Sequence, residues 1–422
     1  MSGDGGNFRF CGCDVVALAR KYGTPLYVMS EEMITDRIEE VKGCFDERYE
    51  GCRTYFAAKS FLSKEMLRIL MRHGLGLDVV SGGELHLARE MTFPPGQIAF
   101  HGNSKTGCEV RAGLDYGVGK FVCDSVEEIA FIDTLASGSG RCADILIRVT
   151  PGVDSHTHRY VATGGVDSKF GVPVDQVEEA VTLCMGWPNI RLRGFHFHVG
   201  SQLLENTSHL LALDVVLALI ARIEEKTGFR TEVLDMGGGF GIPYAERDRP
   251  TPIDGFITPM VERVDAFFRK LGRRRPDLVI EPGRFIVGEA GITLYTVGSV
   301  KKVPGVTTYV GVDGGFSDNP RPALYGAEYR AILANRSDGA SAGPVTVVGK
   351  CCESGDVLIR DIVLPEVRRG DVLVIFSTGA YNHSMASNYN KNPIPAVVMI
   401  EGGTPRLSVR RQTYEEMYAC HL

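Results

Sequence analysis

The sequence predicts an α/β fold, a closed (β/α)8 barrel of the TIM type followed by an antiparallel β domain. Three observations predict it. Between residues 54 and 284, short β-rich runs alternate eight times with amphipathic stretches of helical period. After 285 the long helical stretches stop, and alternating β runs broken by Gly and Pro take over. The polar residues that interrupt the first eight strands fall at their C-terminal ends, which is the active face of such a barrel.

In order, the first strand is TYFAAKS (54–60), followed by the helical SKEMLRILMRHG (63–74). Strands GLDVV (76–80), QIAFHG (97–102), KFVCDS (120–125) and ADILIRVT (143–150) follow, separated by GGELHLAREM, CEVRAGLDYG and SVEEIAFIDTLA. RLRGFHFHVG (191–200), TEVLDMGGG (231–239) and DLVIEPGR (277–284) complete the eight, with VDQVEEAVTLCM, SHLLALDVVLALIARIEEKTG and ITPMVERVDAFFRKLG as the intervening helices. An open doubly wound sheet usually stops short of that number, so closure is the simpler expectation. The barrel is expected over 31–284 and the β domain over 285–422, with segment 1–30 and its TPLYVMS run joining the β domain. The segment 151–170 is long and polar for a connection and reads as a functional loop.

Composition narrows the class of protein. A net charge of -6, with no like-charge block longer than Arg273 to Arg275, argues against a nucleic-acid partner. The longest apolar run, VVLALIA (215–221), is far too short to span a membrane, and the first residues have no signal-peptide pattern, so a soluble cytoplasmic protein is expected. Eleven Cys scattered over 422 residues read as reduced thiols rather than a disulfide framework.

Several residues carry possible chemistry. Lys59 interrupts the apolar YFAAKSF, where a charge facing a barrel core needs a partner or a use, such as that of a Schiff-base lysine. Asp78, Asn103, Asp124, Arg148, His198 and Glu281 sit at other strand ends. GGGFG (237–241) resembles a phosphate cradle, though not a dinucleotide fingerprint, because Ile242 stands where that motif needs its last Gly. EPGR (281–284) places a carboxylate, a turn and a guanidinium together. HFHVGSQ (196–202) offers His198 and Ser201, and no third ligand with metal spacing accompanies its two His, so no metal is expected. Cys351 and Cys352 are vicinal thiols beside Glu353, and one of them could give up a proton.

Taken in order, YFAAKS, DVVSGGE (78–84), GNSKT (102–106), HFHVGSQ, GGGFG, EPGR, RPALYGA (321–327), CCESGD (351–356) and GAY (379–381) resemble the fold-type III decarboxylases that use pyridoxal 5'-phosphate (PLP), and within them the branch acting on diaminopimelate. The resemblance runs from about residue 20 to residue 410. It departs from the usual pattern at Gly349-Lys350 and at Ser60.

The resemblance implies a lyase that forms L-lysine and CO2 from meso-2,6-diaminopimelate, the last step of lysine biosynthesis. It implies PLP on Lys59, with His198 on the ring face, Asp78 close by, and Glu281 at the ring nitrogen. Ser201, Gly238, Gly239, Gly283, Arg284 and Tyr381 would hold the phosphate. Arg284, Arg321, Tyr325, Glu353 and Tyr381 would contact the substrate, whose distal carboxylate needs a guanidinium and whose distal ammonium needs an acid. Cys352 would give the proton that replaces CO2, in a homodimer whose 351–353 segment reaches the other subunit's barrel. A decarboxylase of a related substrate such as carboxynorspermidine, a non-catalytic homologue, and a sugar-phosphate-binding barrel stay open at this point.

Overall fold

A computed structural model describes residues 6–153, 168–336 and 341–422. Most of the 151–170 loop, from 154 to 167, therefore lies outside the described residues. The first long strand, β1 (Leu26–Ser30), precedes the barrel. The next eight are β2 (Cys52–Ala57), β3 (Gly76–Val79), β4 (Ile98–Phe100), β5 (Lys120–Cys123), β6 (Ala143–Thr150), β7 (Ile190–Phe197), β8 (Val233–Asp235) and β9 (Asp277–Ile280). Each pairs in parallel with the next, and β9 returns to β2 with Leu278 opposite Cys52, so the ring is closed.

The helices begin where strand ends supply a cap. Ser63, Ser81, Thr106 and Ser125 each accept a hydrogen bond from a backbone N–H in the first turn of the following helix. Glu84 and Glu128 reach back to the N–H of Val80 and Asp124, which pins the strand-to-helix corners on the C-terminal rim. Left-handed Gly74 and Gly117 close two of these helices, a conformation for which Gly carries no Cβ penalty.

The chain divides into two units. One comprises 38–242 and 249–285, the barrel; the other comprises 1–37, 243–248 and 286–422. Segment 243–248, which the sequence places within the barrel, groups with the second unit. That unit holds β10 (Gly291–Val303), β11 (Thr307–Val312), β12 (Ala331–Leu333), β13 (Ser341–Val348), β14 (Val357–Pro365), β15 (Val372–Ile375), β16 (Ala396–Glu401) and β17 (Thr404–Val409). Its pairings are antiparallel except β11 with β13 and β1 with β16, which are parallel. The N-terminal β1 lies between β10 and β16, and its Leu26 and Val28 enter a core with Ile292, Leu294, Val374 and Val398. No helix among the described residues is long and apolar enough to cross a membrane.

Candidate active site

On the barrel rim, β2 stops at Ala57, and Ala58–Ser60 form a 3-10 turn. Lys59 therefore leaves the strand, and its side chain is 42% exposed. This corrects the expectation of a strand lysine facing an apolar core: three residues of 3-10 turn carry no apolar period by which to read them. Lys59 Nζ stands 3.6 Å from Oδ2 of Asp78, which is fully buried at the end of β3.

Around Asp78 lies a buried polar network. His101 Nε2 is 2.8 Å from Glu281 Oε1 and 3.7 Å from Asp78 Oδ1, and His196 Nε2 is 3.4 Å from Glu281 Oε2. Burial raises a carboxyl, yet at Glu281 the two imidazoles outweigh it and hold the group well below the usual carboxylate range. Asp235 goes the other way: burial first, then the Glu281 charge, push it well above its ordinary value. The two carboxyls are thus pushed apart, Glu281 toward the ionised form and Asp235 toward the protonated one. Burial lowers His196 to about 4, so it stands beside Glu281 as a neutral imidazole.

His101, His196 and Glu281 also bring one possible ligand atom each within 4.8 Å of one another, a grouping that the spacing of His196 and His198 does not reveal. A separation of 2.8 Å between His101 and Glu281 is that of direct partners, closer than the ~3.3 Å between donors placed ~2.0 Å from a tetrahedral zinc. His101, His196 and Asp235 are absent from the sequence-level assignment of roles. Two signals point to them: His101 ends the strand QIAFHG at the same rim, and His196 stands two residues before His198, which puts both on one face of the extended chain.

A second group of donors sits at the ends of β7, β8 and β9. Arg284, almost fully buried, donates from Nη2 to Ser201 Oγ at 2.9 Å. A Cβ on Gly239 would lie 2.2 Å from the Gly200 carbonyl oxygen, so the Gly run is pressed against the Ser201 segment. Likewise a Cβ on Gly238 would lie 2.2 Å from Glu281 O, and one on Gly283 3.0 Å from Ser60 Oγ. The glycines thus let three strand ends and the Lys59 turn meet by their backbones. Gly238 N–H is directed at His198 Nδ1 at 3.2 Å, so this amide orients the imidazole. Among the described residues, Gly239 N–H has no partner in the chain. Burial first, then the Lys59 and Arg148 charges, keep His198 well below its ordinary value and hence neutral. Lys105 of GNSKT is structural: its amine binds the carbonyls of Gly102 and Val122 and the Glu128 carboxylate at 2.7, 2.8 and 3.0 Å.

The second unit places Arg321 at the start of a short helix, 5% exposed. Its Nη1 donates to Tyr329 Oη at 2.5 Å, and its guanidinium lies 4.8 and 5.6 Å from the ring centroids of Tyr244 and Tyr329. No carboxylate among the described residues pairs with it. Tyr325 is half-buried on the same helix, and Tyr381, half-buried, holds a left-handed φ of 60°. Cys351 is buried, whereas Cys352 and Glu353 are exposed on the loop between β13 and β14. Of the two thiols, Cys352 is the accessible one.

A parallel barrel with a lysine, an ionised carboxylate, a neutral imidazole and an Arg–Ser–Gly donor set on its C-terminal rim is the frame of a pyridoxal enzyme. The family model for the pyridoxal binding domain of pyridoxal-dependent decarboxylases matches residues 32–288, and the chain belongs to that family. It is 45% identical over 414 residues to diaminopimelate decarboxylase of Bacillus subtilis, an alignment covering 98% of this chain and 94% of that protein. It is 42% identical over 409 residues to the enzyme of that name from Bacillus methanolicus, covering 96% and 95% of the two chains. The crystal structure of diaminopimelate decarboxylase from M. jannaschii in co-complex with L-lysine superposes with a TM-score of 0.92 at 33% identity, covering 99% of this chain and 96% of that one.

The residues present fit PLP. The Arg284 guanidinium, Ser201 hydroxyl and Gly239 amide are what a phosphate monoester takes, Glu281 is the anion a pyridinium needs, and the exposed Lys59 amine is open to an aldehyde.

Proposed function

We propose that this chain converts meso-2,6-diaminopimelate to L-lysine and CO2 with PLP, in lysine biosynthesis. The observation that carries the choice of substrate is Arg321, a buried guanidinium with two tyrosines and, among the described residues, no acid beside it. A buried charge without a counter-ion is costly, and a substrate keeping a second carboxylate at its far end supplies one. Bound for decarboxylation, ornithine, arginine and lysine place their one carboxylate at the reacting end and bring none to the far end.

When bound, the cofactor supplies the electron sink that makes loss of CO2 possible. Lys59 would hold it by its aldehyde, and the neutral His198 would face its ring without adding a like charge. Glu281, kept ionised by His101 and His196, holds a proton on the ring nitrogen by opposite-charge pairing. Ser201, Gly239 and Arg284 bind the phosphate; Gly238 acts through His198, and Gly283 through its close approach to Ser60. Arg321, with Tyr325 on the same short helix and with Tyr381, takes the distal carboxylate, and Glu353 the distal ammonium. Cys352 gives its proton to the carbon that CO2 leaves.

In this reading the loop with Cys352 and Glu353 completes the site of a second copy, so the enzyme is a homodimer. Its compartment is the cytoplasm, consistent with eleven cysteines of which none is in a disulfide. Measuring CO2 release from meso-diaminopimelate, lysine, ornithine and arginine tests the reading: turnover of the first alone supports it, and equal turnover of ornithine overturns the role of Arg321. Mixing Lys59→Ala with Cys352→Ala chains tests the shared site, since recovered activity requires that one intact site form across the pair.

A further inference from the structure

The loop carrying Cys352 is fixed at its root. Asp356 accepts from the N–H groups of Phe316 and Cys351 at 2.6 and 2.8 Å, and a Cβ on Gly315 or Gly349 would lie 2.4 or 2.2 Å from its carboxylate. The tip is held separately by the turn 389–392. Asn390 Oδ1 accepts from the Cys352 N–H at 2.6 Å, and Asn392 Nδ2 lies 3.6 Å from Cys351 Sγ. Asn388 ties this turn to the rest of the unit, donating to Asn392 O at 2.8 Å and to Gln412 Oε1 at 2.6 Å.

The turn is strained. Asn390 and Lys391 are consecutive non-glycine residues in the left-handed region, with φ of 50° and 57°. Asn enters this region more readily than most side chains, but Lys391 meets the full Cβ penalty there. One exposed neutral hydrogen bond adds little net stability, so the contact with Cys352 does not account for the strain in that way. What the strain secures is geometry: an amide oxygen placed on the backbone of one particular cysteine, leaving its thiol outward while its neighbour's stays inside.

We propose that Asn390 is a positioning residue for the proton-donating step, fixing the Cys352 backbone so that this thiol, and not that of Cys351, faces the reaction. The inference rests on the reading of Cys352 as donor. Two variants separate the side chain from the backbone: Asn390→Gly keeps the left-handed turn but removes the oxygen, and Asn390→Asp keeps an acceptor oxygen. Asn390→Gly should lower kcat about tenfold or more, with KM and PLP affinity unchanged, because misplacing a reacting group acts on the chemical step. Iodoacetamide labelling of the holoenzyme, read by mass spectrometry against exposed Cys108, should spread from Cys352 to Cys351. Asn390→Asp should restore most of kcat and the parent labelling. Unchanged kcat and labelling in Asn390→Gly overturn the proposal, as does a loss of kcat matched by an equal loss of PLP affinity, which marks a merely structural turn. A Cys352→Ser control separates the two layers: full activity there removes the donor reading itself, whereas lost activity there beside an unaffected Asn390→Gly removes only the role of Asn390.

Discussion

Replacing Arg321 by Met keeps an unbranched apolar stem between Tyr244 and Tyr329 and deletes only the guanidinium. Inside the fold the loss is small, because the Tyr329 hydroxyl still faces the Asn382 amide at 3.5 Å, and the expected cost is about 1 kcal/mol of stability. For the substrate it is larger. A hydrogen bond to a charged group contributes about 1.5–3 kcal/mol, and a carboxylate left without its partner adds about 1–3 kcal/mol. Discounted for water that can enter the vacated space, the loss in transition-state binding should be about 2–4 kcal/mol, or about 30- to 900-fold in kcat/KM.

The assay follows CO2 release from meso-diaminopimelate, with inhibition by L-lysine and by 1,5-diaminopentane measured in parent and variant. Lysine retains the distal carboxylate of its parent substrate and should weaken by a comparable factor. The diamine has no carboxylate and should bind as before. An equal loss for all three would mean that Arg321 supports the fold or the cofactor, and the substrate assignment would lose its main chemical argument.

Lys59→Ala should lower turnover by about three orders of magnitude or more and abolish the absorbance of the covalently held cofactor; an unaltered spectrum would remove Lys59 from the mechanism. Cys352→Ala should reduce kcat about a hundredfold or more with cofactor content unchanged, in keeping with a general acid, and a more damaging Cys351→Ala would reverse the choice between the neighbours. Asp318, buried in the second unit with Tyr295 and Gly315 as donors, is pushed up by burial to about 7. Between about pH 4 and that value the folded protein keeps a proton that the unfolded chain releases, so this contribution is greatest at the acid end and is lost as the pH rises. Asp318→Asn should flatten that part of the stability curve, checked by urea midpoints at both ends of the window; an unchanged slope would place the titration elsewhere.

The barrel was legible because each strand end changes the period of the apolar residues, and four of them supply a Ser or Thr cap, both local signals. The rim position of Lys59, Asp78, Glu281 and Arg284 followed from the same strand ends. The turn at Ala58–Ser60 was not legible, since three residues are too few to show a period. Nor was the network around Glu281, whose members at 101, 196, 235 and 281 meet only when the ring closes. The same reason hides the parallel pairing of β1 with β16, where Leu26 finds Ala396. Charge and apolar content at one strand say nothing of which distant strand will lie beside it.

That pairing also bears on how the protein is made. β1 leaves the ribosome early, entirely apolar or small in LYVMS and buried throughout in the finished protein, yet its neighbours begin at Gly291 and Ala396. At about 5–20 residues per second, the strand waits roughly 15–75 s for them, while the whole barrel is synthesised in between. During that time it is an unpaired apolar edge, the kind of segment that recruits wrong partners. The barrel is thus an insertion completed while its host sheet still lacks most of its strands. A fragment beginning after the barrel would carry every long strand of that sheet except the interior one between β10 and β16, and separating the two units at the obvious boundary would destroy the second.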